Sequence, residues 1–306
     1  MMMTTFLDSH GPAARCGFLA ILLLVVACVG CGGGGSSMNT MTGSPAPSPS
    51  GGFPQFGHVV LVVEENASYS QVIGNPAMPY LNSLATQYGL ATQYYANTHP
   101  SIGNYFMLTT GQLVTTNDGL TGTVNVDNIV RELLAAGKTW KSYAESRGDP
   151  NLYVQRHDPC SFFTDVVDSS TQMQNLVSFS QFSIDLTNEA LPNFSFIVPN
   201  LQDDAHDAPL SQADAWLKTN IAPLVSNATF RNDGLLIITF DESLGTDTQN
   251  GGGHVATVIV SPKSKLGFQS TTMYQHQSTL RLILQGLGVS NLPGESSSAP
   301  QMGEFF

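Results

Sequence analysis

Positive charge is scarce in this chain of 306 residues: Lys and Arg number 11 against 23 Asp and Glu, a formal net charge of -12. A polyanion would be repelled unless the few cations gathered into a patch. They are scattered, which argues against nucleic acid as a partner. Cysteine is scarcer still. Of the 4 cysteines, Cys16, Cys28 and Cys31 fall within the first 31 residues, so Cys160 stands alone in the remainder. No internal disulfide and no cysteine-built zinc site can form there, and Cys160 reads as a small buried hydrophobe. Apolar runs of membrane-spanning length are also missing. The run over 18–29 is too short to cross a bilayer comfortably and, with Arg15 ahead of it, reads as the apolar region of a secretory signal.

Small residues and cysteines follow that run. Val25-Val26-Ala27-Cys28 and Val29-Gly30-Cys31-Gly32 both resemble a bacterial lipobox, in which a cysteine is lipidated and becomes the new N-terminus. Residues 1–31 are therefore expected to form a lipoprotein-type signal peptide, with a plain signal peptide as the other reading. Residues 32–56 are rich in Gly, Ser, Pro and Thr and read as a flexible tether. The expected location is outside the cytoplasm, in the cell envelope or secreted, with the membrane met through an N-terminal lipid anchor only. Oligomeric state is not legible.

What remains suits one catalytic-sized domain over 57–289, followed by an irregular Ser/Pro-rich tail over 290–306. Continuous apolar, β-branched runs at 58–63, 194–198, 235–240 and 255–260, with another at 90–95, read as strands covered on both faces. Helical patterns lie between them at 78–88, 128–136, 210–225 and 277–286. The alternation predicts an α/β fold with a mainly parallel central sheet and helices on both faces. Ligands of such sheets bind beyond the carboxyl ends of the strands. Polar clusters sit there: Glu64-Glu65-Asn66, then 98–104, 200–207 and Asp241-Glu242.

Hard oxygen donors gathered at strand ends suit Mg, Ca or Mn, and a histidine joining them would favour Zn. Crowded carboxylates repel one another unless a cation lies between them. Glu65, Asn66, Asp241 and Glu242 are the candidate ligands of one divalent metal ion, with Ser101 as a further ligand and candidate nucleophile. A serine hydroxyl attacks poorly without a base or a metal. Asn104, three residues on, is placed to hold a phosphoryl oxygen. His157 and His206 lie in polar loop motifs suited to donating to phosphate oxygens or protonating a leaving group. His99 and His254 are further substrate-binding candidates, the latter because Gly251-Gly252-Gly253 permits close backbone approach to a ligand. His276 is expected to open the last helix.

These motifs together resemble a known family. Val62-Val63-Glu64-Glu65-Asn66-Ala67-Ser68-Tyr69 is similar to its Met-Glu-Asn-His-Ser-Tyr signature, and His99-Pro100-Ser101-Ile102-Gly103-Asn104-Tyr105 to its His-Pro-Ser-Leu-Pro-Asn-Tyr. Arg156-His157-Asp158-Pro159, Pro199-Asn200-Leu201 with Asp204-Ala205-His206-Asp207, and Thr239-Phe240-Asp241-Glu242 continue the likeness in order. The family is the bacterial acid phosphatase and phospholipase C type of phosphoesterase, within the alkaline-phosphatase-like superfamily. The resemblance implies a three-layer sandwich and a phosphoserine mechanism in which Ser101 takes the phosphoryl group. It implies that Glu65, Asn66, Asp241 and Glu242 hold the metal, and that Asn104, His157 and His206 line the phosphate pocket. The expected substrate is a small organic phosphate monoester or a phospholipid headgroup. Two rivals stand beside it: a phospholipase C-like phosphodiesterase, and a non-catalytic cell-surface binding module on the same fold.

Overall fold

The β-branched run of the sequence becomes the centre of the molecule. In the computed structural model, which describes residues 53–306, the side chains of Val59 to Val63 are all buried, each stabilising the fold by roughly 1.5–3 kcal/mol relative to exposure. The signal-peptide and lipidation expectations, and most of the tether, lie outside the described residues.

Among the described residues ten strands follow in chain order: β1 (His58–Glu64), β2 (Gly89–Ala91), β3 (Tyr94–Tyr95), β4 (Trp140–Ala144), β5 (Leu176–Ser178), β6 (Phe194–Val198), β7 (Gly234–Phe240), β8 (Thr257–Val260), β9 (Phe268–Ser270) and β10 (Tyr274–Gln275). Eight of them form one sheet in the order β5-β4-β6-β1-β7-β8-β2-β9. All pairings are parallel except those of β8 with β7 and with β2. Seven strands thus point one way, and their carboxyl ends share one rim. The sheet is the mainly parallel one the sequence predicts.

The differences have local causes. The expected strand over 90–95 is two short ones, because Thr92 turns its N–H and its hydroxyl to the carbonyl of Ser270. β3 then leaves the main sheet to pair with β10. The helix expected over 210–225 divides into Leu210–Asn220 and Ala222–Ser226, since Pro223 has no N–H to give the helix and its ring crowds the preceding turn. β4 escapes apolar pattern reading because it carries Lys141 and Ser142 among buried neighbours.

The domain edges also move outward. Phe56 is buried and Phe53 packs on the core, so ordered packing begins ahead of residue 57. The tail beyond 290 is irregular apart from two single 3-10 turns, but it is not loose: Met302 and Phe305 are fully buried. Among the described residues, no helix is long and apolar enough to cross a membrane.

Candidate active site

β1 and β7 run in register with Glu64 opposite Phe240, so Glu65-Asn66 and Asp241-Glu242 leave the sheet side by side. The Asp241 N–H donates to the Glu64 carbonyl at 2.9 Å, and the Asn66 N–H donates to Asp241 Oδ1 at 3.2 Å. Asn66 adopts φ 53°, a left-handed conformation that Asn tolerates better than most residues. On the other flank of β1, the segment after β6 brings Asp204, whose carbonyl accepts the Glu65 N–H at 2.7 Å.

Ser101 is the first residue of the helix Ser101–Thr110. Its hydroxyl donates to Glu65 Oε2 at 3.1 Å. One turn later the Tyr105 hydroxyl donates to Glu65 Oε1 at 2.5 Å, because residues four apart share a helix face. Asn66 Nδ2 also donates to Glu65 Oε2, at 3.2 Å. The carboxylate of Glu65 is therefore the hub of the site.

His157 lies flat against the Tyr105 ring, with centroids 5.1 Å apart and planes 12° from parallel. Its Nε2 is 3.2 Å from Glu65 Oε1 and its Nδ1 is 3.5 Å from Asp204 Oδ2, neither aligned as a hydrogen bond. Burial, then the nearby Arg156 and His206, push its pKa well down, so the ring is neutral. The His206 ring lies 5.9 Å from that of His157 and is partly exposed, with Nδ1 2.7 Å from Asp207 Oδ1. His99 is set between Glu242 Oε2 and the Asp247 carbonyl, 2.9 Å from each.

The electrostatics of the rim are unbalanced. Burial, then repulsion from Asp241 and Asp204, raises Glu65 well above the usual carboxyl range. Burial raises Asp204 to about 8. Burial and Glu242 raise Asp241 to about 7, while burial and Asp118 raise Glu242 to about 7. The Ser101 hydroxyl works against both of the last two shifts. Asp241 Oδ2 and Asp204 Oδ2 are buried without any hydrogen-bond partner. A hard cation would satisfy these acids, and the donor set of Glu65, Asn66, Ser101, Asp241 and Glu242 fits one chemically. Among the described residues, however, no three His, Cys, Asp or Glu side chains close around a single metal position.

The model of the "Phosphoesterase family" matches residues 75–290. The chain belongs to that phosphoesterase family. It is 31% identical over 262 residues to "Phosphatidylinositol-3-phosphatase" of Mycobacterium tuberculosis, covering 83% of this chain and 84% of that protein. It is 31% identical to "Probable acid phosphatase" of Kluyveromyces lactis over 74% of this chain. It spans just over half the length of that fungal relative, 57%. Among solved structures, a protein in the alkaline phosphatase superfamily from Vibrio parahaemolyticus superposes with a TM-score of 0.59 at 14% identity, over 80% of this chain and 70% of that one. The fold is therefore the alkaline-phosphatase-like α/β sandwich, and the protein is a hydrolase of phosphoric esters.

Within this phosphoesterase, Ser101, Glu65, Asn66, Asp241, Glu242 and His157 come together, with His206 and His99 at the edges. Two residues expected to touch substrate have other partners. Asn104 is fully buried; its Oδ1 accepts the N–H groups of Asn97 and Thr98, and its Nδ2 donates to the Thr98 carbonyl. It ties the turn ahead of Ser101 to the helix. His254 is stacked between Tyr69 and Tyr95, with centroids at 4.3 and 4.9 Å, and its Nε2 lies 3.0 Å from the Thr92 carbonyl. The close approach that Gly251-Gly252-Gly253 permits is to the protein itself: a Cβ at Gly251 or Gly252 would strike the carbonyls of Asn97 and Thr98.

Tyr105 and Asp204 belong to the site but were not among the expected site residues. The signal for Tyr105 was its i+4 spacing from Ser101. His276 opens the last helix, as its position predicts, and its Nε2 reaches the Asp241 carbonyl at 2.6 Å.

Proposed function

We propose that this phosphoesterase hydrolyses phosphate monoesters through a phosphoserine at Ser101, outside the cytoplasm and with one divalent metal ion. The observation that carries the reading is the Ser101 hydroxyl 3.1 Å from Glu65 Oε2, at the rim where Asp241 and Glu242 end the neighbouring strand. The Ser101 proton has an acceptor in place, so its oxygen can attack phosphorus as the bond to the leaving alkoxide breaks. His206, at the exposed edge, is placed to protonate that alkoxide. His157, neutral and enclosed, holds Glu65 and Asp204 apart. Water then cleaves the Ser101–phosphorus bond and releases phosphate. A divalent ion bound by Glu65, Asn66, Ser101, Asp241 and Glu242 would stabilise the serine alkoxide and neutralise charge on the phosphoryl group.

The substrate is a small organic phosphate or a phospholipid headgroup, the latter favoured by the relative named for a phosphatidylinositol phosphate. A leader over residues 1–31 would carry the chain out of the cytoplasm, and lipidation at Cys28 or Cys31 would hold it at the membrane. The phospholipase C-like reading differs in acting on diesters. Hydrolysis of p-nitrophenyl phosphate by the wild type, set beside that of a phosphocholine diester, separates the two. Turnover of the diester alone would defeat the monoesterase reading, and turnover of neither would leave a binding module.

A further inference from the structure

A loop carboxylate occupies the mouth of this site. After the helix Ser101–Thr110 ends at Gly111, the chain doubles back over the start of that helix. Asp118 Oδ1 there accepts the N–H of Ile102 at 3.1 Å. Its other oxygen, Oδ2, lies 3.6 Å from Nε of Arg156, and that Nε is buried with no hydrogen-bond partner. Arg156 directly precedes His157, which touches Glu65. An anion thus sits between the amide next to the nucleophile and a guanidinium whose buried Nε has no hydrogen-bond partner.

The sequence makes room for this arrangement at Gly103. A Cβ there would lie 2.5 Å from Thr98 Cγ2, 2.8 Å from Leu113 Cδ1 and 3.2 Å from the Thr115 carbonyl, so a side chain would crowd the returning loop. Asn117 shapes the end of the loop, its Oδ1 accepting the Gly119 N–H at 3.0 Å. The Asp118 carboxylate has the charge and planar oxygens of a phosphoryl mimic. Amides at a helix start and a guanidinium are both strong oxyanion donors.

We propose that Asp118 is a built-in stand-in for substrate. Its carboxylate fills a two-donor phosphoryl subsite, made of the Ile102 amide and the Arg156 guanidinium, which the phosphate ester takes over when the 112–118 loop moves aside. The proposal rests on the phosphomonoesterase reading and adds to it a phosphate-binding residue, Arg156, and an intramolecular competitor, Asp118. The competitor favours ligands that bring more negative charge than one carboxylate, so dianionic monoesters gain over monoanionic diesters.

The test uses the full metal-supplemented protein and inorganic phosphate as the probe, with binding read by calorimetry and KM by p-nitrophenyl phosphate hydrolysis. Asp118→Asn keeps an oxygen for the Ile102 amide but removes the charge. It should bind phosphate about 5-fold more tightly, with KM falling in parallel. Arg156→Gln should weaken phosphate binding by at least roughly 10-fold, and Arg156→Lys should restore part of it. If Asp118→Asn binds phosphate as the wild type does, or more weakly, with a lowered melting temperature, Asp118 is only a helix cap and the proposal is overturned. Unchanged phosphate affinity in Arg156→Gln overturns the subsite as well. A wild type that binds phosphate but hydrolyses no phosphoric ester defeats the hydrolase reading instead, and the calorimetry still decides the role of Asp118.

Discussion

Two groups of buried acids stand on the same sheet and are treated in opposite ways. Beside β4, Asp158 takes hydrogen bonds from Ser142, Tyr153 and Arg147, and Asp185 takes them from Lys141, Tyr143 and Gln181. Burial alone would raise Asp185, but Lys141, Gln181 and Tyr143 outweigh it and hold its pKa below the ordinary value. At the rim of β1 and β7, Glu65, Asp204, Asp241 and Glu242 have no comparable cations, and all four are raised. The first group is complete by itself. The second is left unbalanced, and under the proposed function a divalent ion would balance it, so the difference separates acids held by the fold from acids open to chemistry.

Several experiments would break or sharpen that contrast. The largest effect is expected from Ser101→Ala, which should lower kcat/KM for p-nitrophenyl phosphate by at least about a thousandfold; near-normal turnover would remove the nucleophile. Next, dialysis against chelator should abolish activity and a divalent ion should restore it, whereas full activity in the dialysed enzyme would deny the rim acids their cation. In stability, Asp185→Asn should cost about 2 kcal/mol by leaving Lys141 without its partner. Asp241→Asn in chelated protein should leave the melting temperature level or raised, because it removes a repelled carboxyl. Equal losses in the two variants would erase the distinction.

The pH response is read separately, and the two groups give it opposite signs. Asp204, Asp241 and Glu242 titrate near 8, 7 and 7 when folded, but near 4 when unfolded. Their contribution is fully present below about pH 4 and lost as pH rises through 7 to 8. Asp185, lowered on folding, contributes above its unfolded value and loses that contribution as pH falls through its folded one. Chelated protein should therefore melt highest at mildly acidic pH, and a bound divalent ion should shift the maximum upward. Thermal melts from about pH 2 to 8, with and without the ion, measure both.

Much of this was legible in the residues. Val59 to Val63 and the Gly234–Phe240 strand could be read because apolar runs covered on both faces have few alternatives. With those strands placed, Glu65 and Asp241 had to meet at one rim. Three features were not legible, each for a physical reason. β4 hides its burial behind Lys141 and Ser142, whose partners Asp185 and Asp158 are distant in sequence. Asn104 has a side chain equally suited to a phosphoryl oxygen and to two backbone amides, and only the path of residues 97–98 decides between them. The orientation of β8 depends on the connection that leads into it rather than on any property of the strand itself.

That connection, from Ser243 to Ala256, has one consequence of its own. Its glycine triplet is bonded along residues 96–98: the Gly252 N–H reaches the Ala96 carbonyl at 3.0 Å, and the Ala96 N–H reaches the Gly253 carbonyl at 2.9 Å. The turn bearing the nucleophile and the strand bearing two rim acids are therefore stitched into one chassis by backbone hydrogen bonds, at positions where only glycine lets the two segments come this close. Residues 244–246 are exposed outside the stitch, whereas Asp247 is bonded to His99 and to the His254 N–H. New substrate preferences can be tried at 244–246 by swapping or lengthening the segment, while an insertion between 251 and 253 would throw serine and acids out of alignment together.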